Sequence, residues 1–379
     1  PMASSDPTFT DLPSLDELFS KPTMADWRKI AEASLRGRPL ERLTVKTLDG
    51  IEVAPLATAG DTRTDPGYPG QQPFVRGRTA LGPGAGGWEV CQRVGSADPA
   101  HAAGMAAEEL GRGANSVWLV FDRATRTADD EDAQRGGIRL ADIDDFEPFL
   151  ERIDVPTTPI HLAAGGSFAA VAAIMVAAAR RGEVESRQLF GSLDCDPLAA
   201  LVTDGELSSG LDGSLALLSE IAHWAEKNAL ELRTITVSTL PYHLAGANAV
   251  QELAFALATG IDYLRSLTDH GLEPGATCRQ ISFRHAVGRD LFTEAAKLRA
   301  CRRLWARATD ICGVAEENRA APIHAIASPR TLTTRDPWVN SLRTTVGAFA
   351  AAVGGADILT VLFVVGASAA AAPLPIVEQ

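Results

Sequence analysis

The chain of 379 residues sets 35 Lys and Arg against 48 Asp and Glu, a formal charge of −13, and has no Lys/Arg-rich stretch. That balance excludes a nucleic-acid footprint, which needs a basic patch. Hydrophobic residues at 46% and charged residues at 22% are those of an ordinary globular protein. The five cysteines (Cys91, Cys195, Cys278, Cys301, Cys312) are odd in number, far apart and without a CxxC pair, so neither a disulfide framework nor a zinc or other metal site is expected, and a reducing cytoplasmic setting fits.

Taken in chain order, residues 1–87 lack sustained periodicity apart from a short helix around 25–35, and Pro and Gly punctuate them most densely in 65–87, "DPGYPGQQPFVRGRTALGPGAGG". They read as an extended N-terminal arm for subunit contact. The first residues, "PMASSDPTFTDLPSLDELF", are acidic and Pro/Ser-rich, unlike a signal peptide. Over 88–379 the rhythm changes, and short β-rich runs alternate with longer Ala/Leu/Glu-rich segments. Strands are expected at 116–122, 160–164, 188–193, 233–239, 281–287, 323–327 and 358–363, with helices at 168–181, 213–227, 247–267, 290–308 and 337–353. Repeated βα units are an α/β pattern and close most naturally into a TIM (β/α)8-type barrel, with active residues at the C-terminal strand ends; a doubly wound sheet is the other solution.

Seven βα units are legible and no clear eighth strand, so the expected barrel is incomplete, with unpaired backbone groups on its first and last strands. The apolar run "ILTVLF" on that edge would then call for a partner, homo- or heterodimeric, over an interface of about 2,000 Å² or more. Residues 358–377 are uncharged over about the length of a membrane span, but Gly366, Pro373 and Pro375 break the run and its first half reads as a buried parallel strand, so no membrane association is expected.

In "RTITVST", Thr234, Thr236 and Ser238 share one face. Barrel interiors are normally filled by branched aliphatics, so inward hydroxyls would leave a hollow polar axis; the opposite orientation, hydroxyls against a helix, is equally open. The literal GxGxxG at 82–87 has no strand before it and no helix after it, and reads as a loop. Asp98, His101 and Gly104 approach an Asp-x-His-x-x-Gly cobalamin signature, but Asp and His are three apart instead of two, which suits the start of a surface helix. Tyr242 and His243 directly follow the fourth expected strand, where a neutral imidazole can donate to a substrate carbonyl; a histidine satisfied by a structural partner is the alternative.

The runs "YHLAGANAVQELAFALATGIDYLRSL", "ISFRHAVGRDLFTEAAKLRACRRLWAR" and "RDPWVNSLRTTVGAFAAAVGGADILTVL", with "PFVRG", "GWEV" and "GANSVWLVFD" upstream in the same order, resemble the acyl-CoA mutases of the methylmalonyl-CoA mutase family from about Trp27 to Leu362. The resemblance implies a hollow barrel threading coenzyme A along its axis, and a separate cobalamin-carrying domain that is not expected in this chain. Its motifs place Arg76, Asp194, Tyr242, His243 and Ser282 at the substrate site, and Thr234, Thr236 and Ser238, if inward, agree with it independently. The departures are specific. Pro83 falls where catalytic members carry the tyrosine that presses on the cobalamin, Asp194 stands for a glutamine, and Gln280 replaces a CoA-contacting arginine, while Ser282, Tyr242 and His243 are kept.

That pattern is similar to the small, non-catalytic subunit of heterodimeric mutases. It implies a chain that binds no cofactor itself, partners a catalytic large subunit carrying adenosylcobalamin, and supports interconversion of methylmalonyl-CoA and succinyl-CoA, an isomerase reaction. Two other readings stay open: a stand-alone or self-associating acyl-CoA enzyme using Tyr242 and His243 on a thioester without cobalamin, and a mutase substrate chain that borrows cobalamin from a separate small protein.

Overall fold

The computed structural model describes residues 22–61, 66–82, 87–129, 136–228 and 231–362. The chain divides into two compact units, Pro1–Thr64 and Asp65–Gln379. In the first, α1 (Met24–Ser34) starts on a capping box in which Thr23 and Asp26 satisfy each other's backbone N–H groups. It is followed by a small antiparallel hairpin of β1 (Val45–Lys46) and β2 (Glu52–Val53). None of the described residues 22–61 is buried.

The second unit is a closed barrel of eight parallel strands in sequence order: β3 (Glu89–Val94), β4 (Ser116–Val120), β5 (Ile160–Ala163), β6 (Gly191–Cys195), β7 (Leu232–Ser238), β8 (Ile281–Val287), β9 (Ile323–Ala327) and β10 (Ile358–Thr360). All seven expected strands are present. The eighth is β3, "EVCQRV", absent from the expected strands because Gln92 and Arg93 interrupt its apolar pattern. It pairs with β10 through Ile358↔Glu89 and with β4 through Cys91↔Ser116, so the sheet has no edge. The incomplete barrel and the association-prone last strand are therefore corrected: β10 is flanked on both sides. β6 starts later than 188 because Ser186–Gln188 forms a 3-10 turn. Gly191 at its head (φ +120) lies so close to β5 that a Cβ would stand 2.2 Å from the Ile160 carbonyl oxygen.

Around the barrel run α2 (Pro99–Gly111), α3 (Arg123–Thr127), α4 (Glu147–Arg152), α5 (Phe168–Arg181), α6 (Pro197–Asp204), α7 (Gly210–Asn228), α8 (Leu240–Leu244), α9 (Ala249–Asp269), α10 (Pro274–Gln280), α11 (Leu291–Ile311) and α12 (Pro337–Gly354). The main apolar core lies between strands and helices, with Ile235, Val237, Ile281 and Phe283 meeting Phe168, Met175, Tyr263 and Trp305. A smaller cluster of Cys91, Trp118, Val120, Ala286, Ile326 and Ile358 belongs to the interior, together with Leu240. With Ile235 and Val237 committed to the outer layer, the period-2 alternation turns Thr234, Thr236 and Ser238 inward.

Candidate functional site

The inward face is polar as expected, but it is not hollow. Trp118, His161, Arg284 and His324 stand in the middle of the barrel, none more than 4% exposed. Register places them together: Trp118 pairs with His161, and Arg284 with His324. The Arg284 guanidinium lies over the Trp118 ring at 4.6 Å and its Nη2 donates to Asp194 Oδ2. Its Nε donates to His324 Nδ1 (3.2 Å), and His324 Nε2 reaches Thr360 Oγ1 (2.8 Å). On the other side His161 bridges Glu89 (3.1 Å) and Ser192 (2.8 Å), and Ser192 donates to Asp194 Oδ1 (2.5 Å). Burial, with Arg284 and His161 close by, holds the His324 imidazole well below its usual range. Small hydroxyls on one side of a barrel thus make room for large polar groups from the other.

Asp194 is aimed by a backbone irregularity. The β6–β7 register shifts between Ser192 and Cys195, and Asp194 takes φ +50, a left-handed conformation that aspartate tolerates better than most residues. Thr236 Oγ1 and Ser282 Oγ share a hydrogen bond at 2.8 Å, and the Ser282 hydroxyl also reaches the Ile235 carbonyl (3.0 Å).

Above this layer, at the C-terminal mouth, a cavity of about 590 Å³ opens, with Trp118 and Arg284 among its lining residues. Its charged wall comprises Arg93, Arg126, Arg330, Asp194, Asp196 and Asp204. Arg126 grips Asp204 through Nε (3.2 Å) and Nη2 (2.8 Å) and the Phe121 carbonyl through Nη1 (2.8 Å). Burial, with Arg126 close by, pulls the Arg93 guanidinium down to about 10. Asp196 caps α6 through Ala199 N–H (3.0 Å) and accepts from Tyr263 Oη (2.6 Å) and Ser238 N–H (2.7 Å). Burial pushes its carboxyl up to about 6 against those three donors.

Tyr242 and His243 belong to α8 directly after β7, as expected, but they do not line this cavity. His243 is buried in the barrel wall. Its Nδ1 faces Glu252 Oε1 at 2.8 Å and its Nε2 faces Ser328 Oγ at 2.7 Å, so both ring nitrogens are engaged. Lys297 contacts Glu252 (3.3 Å) and Glu294 (2.7 Å) and donates to the Ala286 carbonyl (2.6 Å). Burial opposes charge on Glu252, yet His243 and Lys297 hold its carboxyl down to about 2. Burial, with Lys297 nearby, keeps His285 down to about 3. Tyr242 stacks on Phe255, ring centroids 4.4 Å apart, and burial raises its hydroxyl.

The remaining expected residues scatter. Arg76 is exposed, with its backbone beside Gly355 just ahead of β10, at the barrel end opposite the cavity. Thr234 lies toward that same end, where its N–H and hydroxyl both reach Gln280 Oε1 (3.2 and 3.3 Å). Asp98 caps α2 through Ala100 N–H (2.9 Å) and His101 meets only Ser96 among its recorded hydrogen-bond partners (3.1 Å), the surface helix start that was expected. Pro83 and most of the glycine-rich loop fall outside the described residues. Among the described residues no group of three or more His, Cys, Asp or Glu is placed to hold a metal ion, and no helix is long and apolar enough to cross a membrane.

The residues that reading the sequence did not single out are Trp118, His161, Arg284 and His324. For two of them the signal was present: His161 and His324 are the single polar residues of apolar strands, "IHLAA" and "IHAIA". Period 2 does not say which face is inside until neighbouring strands are placed.

The family described as "Methylmalonyl-CoA mutase" matches this chain over residues 46–368. The methylmalonyl-CoA mutase small subunit of Streptomyces virginiae is 39% identical over 92% of this chain and 55% of its own length, and that of Propionibacterium freudenreichii subsp. shermanii 33% over 96% and 55%. The methylmalonyl-CoA mutase of Escherichia coli (strain K12) is 30% identical over 88% of this chain and 49% of its own. The chain therefore spans about half the length of the curated relatives it matches. A putative phosphonomutase from Burkholderia cenocepacia J2315 aligns at TM-score 0.36 and 12% identity over 72% of this chain and 86% of that one, a likeness too slight to carry an argument. With an eight-stranded parallel barrel and a family match running from the arm through the last strand, the chain belongs to the methylmalonyl-CoA mutase family.

Proposed function

We propose that this chain is a small-subunit component of a methylmalonyl-CoA mutase, a barrel that supports a catalytic large chain in interconverting methylmalonyl-CoA and succinyl-CoA and turns over no substrate itself. The observation that carries this reading is the occupied axis. Where a catalytic family barrel is expected to thread an acyl-CoA, this one holds the Arg284–Asp194 pair, Trp118, His161 and His324. Removing them from one another to admit a thioester would leave buried charges unpaired, which is strongly unfavourable. Adenosylcobalamin, on this reading, belongs to the partner. The mouth of this chain uses Arg126 and Arg284 to neutralise Asp204 and Asp194.

The N-terminal unit supports the same reading. Residues 22–61 include Met24, Ile30, Val45, Leu48, Ile51, Val53 and Leu56 among the exposed large apolar side chains and bury none. A segment without a core of its own has apolar groups to lay on another surface, and the part of the arm before the barrel unit, which begins at Asp65, is proposed to lie on the partner. The stand-alone thioester reading is not favoured, because Glu252 and Ser328 already hold both nitrogens of His243.

The test is purification of the chain from its native host, followed by assay of the chain alone. A larger mutase chain at one-to-one ratio is expected, with no turnover and no calorimetric binding of methylmalonyl-CoA by the isolated chain. Mutase activity, or stoichiometric acyl-CoA binding, by that isolated chain would sink the proposal.

A further inference from the structure

Helix α12 sits on the barrel with its apolar side facing away from it. The residues it buries are small or polar: Asn340, Thr344, Gly347, Ala350, Ala351 and Gly354. Gly347 comes so close to the end of β8 that a Cβ would meet the Val287 and Gly288 carbonyl oxygens at 3.1 Å, and Gly354 is pressed against Ala295 and Leu298 of α11. Its large apolar residues point outward: Trp338 is 73% exposed, Leu342 69%, Val346 38%, Phe349 57% and Val353 41%. Their spacing of four, four, three and four residues is one straight stripe along a helix about 27 Å long. Two other long helices, α9 and α11, bury large apolar side chains. α9 buries Tyr263, Leu264 and Leu267, and α11 buries Leu298, Cys301 and Trp305.

Three features say what the stripe meets. Arg343 is the one charged residue of α12, and charge depletion around Trp, Phe and Leu is the composition of a protein interface centre, with arginine at its rim. Arg299 of α11 supplies such a rim, donating to the Val353 carbonyl (2.8 Å) beside the stripe. The five side chains expose on the order of 500 Å² of apolar surface, more than half of the ~800 Å² that each partner gives a standard interface. A helix lying on a lipid surface would turn a basic polar face to the headgroups, whereas the polar face of α12 is buried on the barrel.

We propose that the outward face of α12 seats the partner barrel of the mutase complex, against an apolar, charge-poor helix face of that larger chain. This rests on the small-subunit reading above and names the surface through which that assembly is held.

The experiment compares full-length tagged chains recovered from the native host. The double variant Trp338→Asp/Phe349→Asp is expected to lose the co-purifying large chain, its assembly weakened on the order of a hundredfold or more, while its far-UV spectrum and thermal transition match the wild type. Leu211→Asp on α7, another exposed apolar position (38%), is expected to keep the partner. Should the double variant misfold, Leu342→Lys at a 69% exposed position reads the same surface. Retention of the large chain at one-to-one by a folded stripe variant overturns the proposal and leaves the small-subunit reading standing. So does a stripe variant that only disperses a homodimer of this chain, or only loses sedimentation with anionic phospholipid vesicles. A wild-type chain that brings down no mutase chain overturns both.

Discussion

Two buried ionic clusters in this barrel use the same residue types to opposite ends. On the axis, Arg284 and Asp194 reach across from β8 and β6 with His161 and His324 beside them, filling the middle of the barrel. In the wall, Lys297 and Glu252 join α11 to α9 and lock His243 to Ser328 after β9. The first cluster fills the middle of the barrel, whereas the second fixes a loop. His243 therefore has a packing role in the wall, between Glu252 and Ser328.

The comparison can be broken at the wall first. Lys297→Met leaves Glu252 and Glu294 without their cation, and the barrel is expected to lose about 3–5 kcal/mol in urea unfolding; a loss below ~1 kcal/mol would mean the wall cluster is replaceable. Acid sharpens the contrast. His285 is neutral in the fold, held down to about 3, and takes a proton in the unfolded chain near 6.5, so stability falls as pH drops through that window, by about 3 kcal/mol at pH 4 relative to pH 7. Glu252, held down to about 2, adds a further loss as pH falls below 4.5. Asp196 at the mouth runs the other way: its carboxyl is pushed up to about 6, so protonation between pH 6 and 4 favours the fold. His324 on the axis, also held well below its usual range by burial, adds a loss of the same sign, so His285→Phe should make the pH 7 to 4 decline shallower without removing it, and equal declines in both proteins would refute the assignment.

At the axis a smaller effect is expected. Arg284→Met strands the Asp194 carboxylate and should destabilise by about 3 kcal/mol, the low end for a buried pair because Ser192 still donates to Asp194, while Arg284→Met/Asp194→Asn recovers most of it, since removing both partners is far milder than removing one. Asn also tolerates the positive φ at 194. Additive losses in that pair would show that the two side chains do not act together. The smallest change belongs to Tyr242→Phe, which keeps the stacking on Phe255 and should stay within about 0.5–1 kcal/mol and leave assembly with a large chain intact. A larger fall in complex activity would return a chemical role to the Tyr-His loop.

The α/β class and seven of the eight strands were legible because long apolar runs at regular spacing report burial directly, and this barrel repeats its unit. The eighth was not. Cys91 and Val94 are fully buried, but Gln92 and Arg93 between them blur the pattern, and only pairing with β4 and β10 makes "EVCQRV" a strand. The open edge inferred from its absence followed from that one omission. The hydroxyl face of β7 was visible as a face, and Tyr242-His243 as a pair at a strand end. Local sequence could not say that the space beside the hydroxyls is taken by Arg284 from the adjacent strand, which in turn reaches Asp194 on β6 beyond it, or that His243 turns into the wall.

The sequence by itself determined the period of each element, the charge balance and the family, because these depend on neighbours along the chain. Tertiary structure decided closure, the filling of the axis and the outward face of α12, because each depends on which residues meet across strands and helices that lie 40 or more positions apart, as Thr236 and Ser282 do.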